Sequence, residues 1–303
     1  MNGFFNVDKP AGWTSFDVVA ALRRPLGEKR LGHAGTLDPL ATGVLPLAAG
    51  YATRLLSYLA DSDKEYLATV ELGRTTDTYD AAGEETSRGD WALVDPNDVA
   101  VQLDSFRGEI QQTPPAYSAV KVAGERAYKR VRRGESVALA PRQVTIHELE
   151  LLGLDLPRIH LRVICSRGTY LRSLAHDLGQ ALGVGGFLAE LRRSRVGPFS
   201  ESDSVGLDEL RAAAAIGAGS SFIRAPDMVL RHLDAAILSP ATTSDLRQGR
   251  SVRLYPGSPP GWGRRLPLGR QSRAYTAEGT LIGLLEYAAP PAVWKPVKIF
   301  TNA

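Results

Sequence analysis

The alternation Arg158-Ile159-His160-Leu161-Arg162-Val163-Ile164-Cys165, broken at Gly168-Thr169 and followed by Leu171, Leu174, Ala175, Leu178 and Leu182 at helical spacing, constrains this chain most. A period of two that gives way to a period of about 3.6 predicts a strand burying Ile159, Leu161, Val163 and Cys165. An amphipathic helix that packs on the sheet and stops at Gly183 should follow. Residues 66–72 read as another strand, and 17–22, 48–59, 95–106 and 207–215 read as helices. Strands and helices interleave without a regular βαβ rhythm, so the predicted class is α+β with a mixed, largely antiparallel sheet.

A change of pattern comes near Gly197-Pro198, and Gly217-Ala218-Gly219-Ser220-Ser221 reads as a connector. Beyond it, Val252-Arg253-Leu254-Tyr255, Arg273-Ala274-Tyr275-Thr276 and Leu281-Ile282-Gly283-Leu284-Leu285-Glu286-Tyr287 are short β-type segments between Gly- and Pro-rich turns. They predict a small β-barrel-like unit, and the chain divides into residues 1–228 and 229–303. The loop 256–261 fits neither pattern.

Composition excludes more than it selects. One cysteine, Cys165, cannot form an internal disulfide or a cysteine zinc site, and the histidines at 33, 147, 160, 176 and 232 lack ligand spacing, so no structural metal is expected. There is no cationic leader with a long apolar run and no stretch of about 18 apolar residues, which predicts a cytoplasmic protein without a membrane partner. The net charge of +3 is unevenly spread: residues 61–109 carry thirteen acidic and four basic side chains. Residues 121–142 carry seven basic against Glu125 and Glu135, and 245–273 carry seven arginines against Asp245. Basic blocks on a near-neutral chain favour a polyanion docked in one orientation, although solvated helix faces give the same count.

Asp38 stands in Gly32-His33-Ala34-Gly35-Thr36-Leu37-Asp38-Pro39-Leu40-Ala41-Thr42-Gly43-Val44-Leu45-Pro46, a lone carboxylate among glycines, prolines and apolar residues. Pro39 restricts Asp38 to extended geometry and the glycines permit close backbone approach, which predicts a stiff loop. A bare Asp-Pro reads first as a turn in which the side chain bonds its own backbone.

The whole word resembles the motif of the TruB family of tRNA pseudouridine synthases, Gly-His-x-Gly-x-Leu-Asp-Pro-Leu-Ala-x-Gly-x-Leu-Pro. The resemblance continues in order through Val7-Asp8-Lys9-Pro10-Ala11-Gly12-Trp13-Thr14-Ser15, Lys64-Glu65-Tyr66, Leu72-Gly73-Arg74-Thr75-Thr76-Asp77-Thr78, Pro114-Pro115-Ala116-Tyr117-Ser118-Ala119-Val120-Lys121 and Cys165-Ser166-Arg167-Gly168-Thr169-Tyr170-Leu171-Arg172. It implies a catalytic domain of pseudouridine synthase type with a thumb insertion at about 112–140, and a C-terminal PUA-like RNA-binding domain. It also implies isomerisation of uridine at position 55 in the T-loop of tRNA, by base flipping and one essential Asp.

Isomerising uridine needs a nucleophile or base, a pocket that retains the detached uracil and a way to expose a stacked base; it needs neither cofactor nor metal. The resemblance gives Asp38 the reacting role and leaves C1′ attack, addition to the uracil ring and C2′ deprotonation open. Burial raises a carboxylate pKa and a cation lowers it, so a partner is required, and by resemblance it is Arg172. Tyr66, read at the edge of the sheet, would stack on the loose base and handle a proton. His33 would fill the gap left by the flipped nucleotide, and Lys9 and Tyr170 would shape the pocket floor. Lys129, Arg130, Arg132 and Arg133 would contact T-arm phosphates, and Arg247, Arg250 and Arg253 the acceptor stem. A monomer with no obligatory protein partner is expected. The rivals are a guide-RNA-dependent synthase of the same superfamily, a glycosidase-like hydrolase, for which a second carboxylate is not evident, and a non-catalytic RNA-binding or RNA-folding protein.

Overall fold

The computed structural model describes residues 1–122, 124–254, 267–290 and 292–300. Among these, ten strands form one sheet whose path is Val205–Gly206, Gly3–Lys9, Thr42–Ala49, Gly186–Val196, Lys64–Leu72, Arg158–Cys165, Arg142–Asp155 and Gly108–Gln112. Leu31–His33 is added beside Thr42–Ala49, and Phe199–Ser200 beside Gly186–Val196. Neighbours are antiparallel except at Gly3–Lys9 with Val205–Gly206 and at Thr42–Ala49 with Gly186–Val196, so the sheet is mixed and largely antiparallel as expected. The chain order is scrambled where it matters: Gly186–Val196 is inserted between two strands from the first quarter of the sequence.

The predicted alternation is realised, with Ile159, Leu161, Val163 and Cys165 all 1% exposed or less. Helix Leu171–Ala181 lays Leu171, Leu174, Ala175 and Leu178 on the same core. Helix Ser15–Arg23 begins with a capping box in which Asp17 N donates to Thr14 Oγ1 and Thr14 N donates to the Asp17 carboxylate. It buries Val18, Val19 and Leu22 in that core. Asp95 caps helix Pro96–Ser105 by accepting from Asn97 N at 2.8 Å.

The helix expected over 48–59 is corrected. Ala48 and Ala49 belong to a strand, paired with Phe4 and Gly3 on one side and with Gly32 and Leu31 on the other. Only Leu56–Ala60 is α-helical, after a 3-10 turn over Gly50–Leu55. Two-sided ladder pairing outweighs the helix preference of alanines.

The C-terminal region forms a second, five-stranded sheet in the order Asp234–Ile237, Gln271–Tyr275, Leu281–Ala289, Val293–Ile299 and Val252–Arg253, accompanied by helix Pro240–Arg247. Its path has two free ends among the described residues, so it is a half-barrel and not a closed one. Leu246, Ile282, Leu285 and Trp294 make its own core. Leu281, Leu284 and Phe300 instead join Phe4, Val44, Ala48 and Phe199 in a shared cluster, where Phe300 stacks on Tyr51 with ring centroids 4.7 Å apart. Tyr255 and the loop 256–261 lie outside the described residues. No described helix is long and apolar enough to cross a membrane.

Candidate active site

Asp38 lies in the turn between strands Leu31–His33 and Thr42–Ala49. That turn is stapled from the N-terminal segment: Leu37 N donates to Ser15 Oγ at 2.8 Å and Gly12 N donates to the Pro39 carbonyl at 2.9 Å. Lys9, fully buried, donates to the carbonyls of Trp13 at 2.7 Å and Pro10 at 2.9 Å and reaches that of Pro39 at 3.4 Å. Burial pushes the Lys9 ammonium down to about 8, with Asp38 pulling it up and Arg193 pushing it down. Three backbone anchors make the loop the stiff platform that a reacting carboxylate requires.

Arg172, the second residue of its helix, is 6% exposed and places Nε 3.0 Å from Asp38 Oδ2. Its other nitrogens are also engaged. Nη1 donates to the Thr78 carbonyl at 3.1 Å and lies 3.6 Å from Asp80 Oδ2, and Nη2 donates to the Tyr117 carbonyl at 3.0 Å. Asp80 is itself buried, accepting from Thr78 Oγ1 at 2.6 Å and Ala82 N at 3.0 Å. A rigid fork with four partners fixes the guanidinium in orientation as well as position. Burial raises the Asp38 carboxyl above its ordinary value; Arg172 opposes this, Asp80 adds to it and Lys9 opposes it.

Tyr66 is not at the sheet edge. It sits in the interior strand Lys64–Leu72, paired with Val163 on one side and Arg193 on the other, and is 9% exposed. The strand carries buried residues at most positions, which calls for neighbours on both sides. Burial pushes its phenol up; Arg193, in hydrogen-bonding contact, pulls it down, and Asp38 raises it. Arg193 also donates to the carbonyls of Val44 at 2.8 Å and Gly35 at 3.0 Å. This explains two glycines of the Asp38 word: a Cβ on Gly43 (φ 98°) would lie 2.3 Å from the Arg193 carbonyl oxygen, and one on Gly35 (φ 74°) 3.2 Å from Arg193 Nη1.

His33 ends its short strand opposite Leu47, with Nδ1 buried and unpartnered and its imidazole held down by burial and by Arg193, hence neutral. Tyr170 precedes the Arg172 helix, with Arg142 4.7 Å over its ring. Gln112 binds the Tyr170 backbone reciprocally, accepting from its N–H at 2.8 Å and donating to its carbonyl at 3.0 Å. In the 112–140 segment, a hairpin of Lys121–Val122 with Glu125–Arg126 leads to helix Ala127–Val131. Arg133 forms a two-pronged pair with Glu125 at 2.7 Å and a second pair with Glu135, and Arg130 pairs with Glu135 at 2.6 Å. Lys129 and Arg132 are exposed and form no salt bridge among the described residues, Arg132 lying 5.5 Å over Tyr128. Arg247, Arg250 and Arg253 are exposed on the second sheet and its helix; Arg250 pairs with Asp245 at 3.1 Å.

The structure therefore brings Asp38, Arg172, Tyr66 and Lys9 together, and adds Asp80, Arg193 and Gln112, which sequence reasoning missed. Asp80 stands two residues past the Thr75-Thr76-Asp77-Thr78 motif, and nothing in the spacing chose it over Asp77, whose carboxylate caps Glu84 N at 2.9 Å. Arg193 left a trace in Arg192-Arg193-Ser194-Arg195, because a period of two turns one of two adjacent arginines inward. Among the described residues no three His, Cys, Asp or Glu side chains cluster to hold a metal ion.

The family model of the TruB family pseudouridylate synthase N-terminal domain matches residues 23–171, and that of the tRNA pseudouridylate synthase B C-terminal domain matches residues 172–238. The chain is 52% identical over 219 residues to the tRNA pseudouridine synthase B of Thermobifida fusca, covering 70% of this chain and 75% of that one. It is 42% identical over 298 residues to the protein of that name from Leifsonia xyli, covering 96% and 94%. Among solved structures, a Cbf5-Nop10-Gar1 complex contains a chain that is 29% identical, with a TM-score of 0.73 over 98% of this chain and 84% of that one. The chain belongs to the TruB family of pseudouridylate synthases, and it is an enzyme of that isomerase class.

Proposed function

We propose that this chain is a tRNA pseudouridine synthase that isomerises uridine 55 of the T-loop, with the nucleotide flipped out of the RNA and Asp38 as the reacting carboxylate. The observation that carries the reading is the contact of the open Asp38 carboxylate with the buried, four-way-held Arg172 guanidinium. In the reaction the N1–C1′ bond breaks, the uracil turns, C5 bonds to C1′, the C5 proton leaves and N1 gains one. Asp38 acts on the nucleotide, Arg172 keeps it charged and aimed, and Tyr66 faces the loose base. His33, neutral and planar, fills the gap in the RNA stack, lowering an unstacking cost of a few kcal/mol. Lys9 and Tyr170 support the pocket from below and from the helix start.

In this reading residues 1–228 are the catalytic domain, with 112–140 as a thumb that closes on the T-arm, and 229–303 are a PUA-like RNA-binding domain whose Arg247, Arg250 and Arg253 approach the acceptor stem. The protein works in the cytoplasm as a monomer, without a guide RNA. Support for independence from a guide comes from identities of 39–52% to proteins named tRNA pseudouridine synthase B, against 29% to a chain of the Cbf5-Nop10-Gar1 complex. The test is purified protein on an unmodified tRNA transcript, with the product mapped by position. Pseudouridine at 55 is expected; inactivity until a guide RNA is added, release of free uracil, or binding without product would each replace this reading with one of its rivals.

A further inference from the structure

Tyr79 has φ 63°, and among the described residues only one other that is not glycine, Ala292, lies in the left-handed region. A bulky side chain is an outlier there, whereas glycine would take the same backbone without strain. The conformation is held from several sides. Tyr79 N donates to the Thr76 carbonyl at 3.2 Å, Leu188 N donates to the Tyr79 carbonyl at 3.0 Å, and Thr76 Oγ1 donates to the Asp80 carbonyl at 2.8 Å. Strain that the surroundings enforce on a tyrosine, where glycine would be free of it, calls for a use of the ring.

That ring lies flat on His176, with centroids 3.8 Å apart and planes 8° from parallel. The His176 Nδ1 is buried and has no hydrogen-bond partner, so the stack and not a polar contact at that atom fixes the imidazole. His176 stands one helical turn beyond Arg172, and residues four apart share a helix face. The chain neighbours of Tyr79 are the groups that meet Arg172: Nη1 donates to the Thr78 carbonyl at 3.1 Å and lies 3.6 Å from Asp80 Oδ2. The turn therefore touches the helix on two successive rungs, polar at Arg172 and aromatic at His176. We infer that Tyr79 and His176 are positioning residues whose stack clasps the 76–83 turn to the helix, and so keeps the Thr78 carbonyl and the Asp80 carboxylate at the Arg172 guanidinium. The effect on catalysis rests on Asp38 and Arg172 being the reacting pair; the effect on geometry does not.

Two substitutions separate the ring from the backbone. Tyr79→Asn deletes the ring but keeps a residue that tolerates positive φ, and His176→Ala deletes the other ring where alanine suits the helix. Solvent exchange of the Arg172 Nε–H, followed by heteronuclear NMR, should quicken about fivefold in each variant, the scale of one aromatic pair. The double variant should exchange within about twofold of either single one. The buried Arg193 Nε–H, which donates to the Val44 carbonyl at 2.8 Å, is the control and should keep its rate. His176→Phe, which retains a flat ring, should restore wild-type exchange at Arg172. In single-turnover assays on tRNA, His176→Ala should slow product formation about fivefold with tRNA Kd within about twofold, and His176→Phe should recover the rate. Unchanged Arg172 exchange in both single variants, or equal quickening at Arg172 and Arg193, overturns the inference; quickened exchange at a wild-type rate of product formation overturns its part in the reaction. Normal product from Asp38→Asn would instead remove the reacting pair, while the exchange rates still decide whether the stack holds Arg172.

Discussion

Arg172 holds its Nε 3.0 Å from Asp38 Oδ2, yet the arginine side chain is 8% exposed and the aspartate 44%. The cation is fixed beneath an anion that faces outward. Backbone carbonyls of Thr78 and Tyr117 orient the guanidinium, so the pair is organised in advance of any ligand.

Asp38→Asn should abolish pseudouridine formation, a loss of about four orders of magnitude or more, while tRNA affinity stays within about threefold. The folded-state pKa of Asp38 is raised, so its ionisation opposes folding progressively as pH climbs above the ordinary carboxylate range. Asparagine removes that opposition, and the variant should melt no lower than wild type at neutral pH. Product formed at the wild-type rate would end the catalytic assignment.

Opposite shifts are expected from the two neighbours of Asp38. With Asp38 as the reacting group proposed above, activity requires the ionised carboxylate and falls as pH drops through the raised Asp38 pKa. Arg172 lowers that pKa and Asp80 raises it. Arg172→Gln should therefore move the acid limb of the pH–rate profile upward and cost about 10²-fold in rate, and Asp80→Asn should move the limb downward. Both variants leave Arg172 or Asp80 short of a partner, so the limb position, not the rate alone, is the informative readout. Limbs that stay put in both would detach the profile from Asp38.

Lys9 makes stability depend on alkaline pH. Its folded-state pKa of about 8 lies below the unfolded 10.5, so the unfolded chain binds more protons between these values and stability rises with pH across that window. The rise amounts to at most about 3.4 kcal/mol. Urea denaturation at pH 7 and pH 10 should show a steeper gain in wild type than in Lys9→Met; identical gains would mean that the ammonium is better solvated than its carbonyl cage implies.

The thumb arginines should not contribute equally to RNA binding. Glu125 and Glu135 already neutralise Arg130 and Arg133, whereas Lys129 and Arg132 form no salt bridge among the described residues. Replacing Lys129 and Arg132 by Ala should reduce the slope of log Kd against log salt by about 1.5, and replacing Arg130 and Arg133 should reduce it by less. Salt titrations of tRNA binding measure both; an equal reduction would mean that RNA displaces the glutamates.

Local order was the legible part of this fold. The period-two run before Cys165 and the helix behind it could be read because each depends on residues close in sequence, and the same holds for the glycine-rich word around Asp38. The interior position of Tyr66 could not be read, because it depends on strand Gly186–Val196 arriving from more than a hundred residues away. Gln112 and Tyr170 belong to the same class: a glutamine at the end of one strand completes the backbone of a helix start 58 residues later, and no local pattern announces it. Alanines 48 and 49 misled for the converse reason, since a long-range ladder overrode their helical preference.

The stacking of Phe300 on Tyr51 turns the boundary proposed near residue 228 into a seam in the sequence only. Phe4, Val44, Ala48 and Phe199 take their dry side from Leu281, Leu284 and Phe300, so a fragment ending at that boundary would wear an oily wall where the whole protein has an interior.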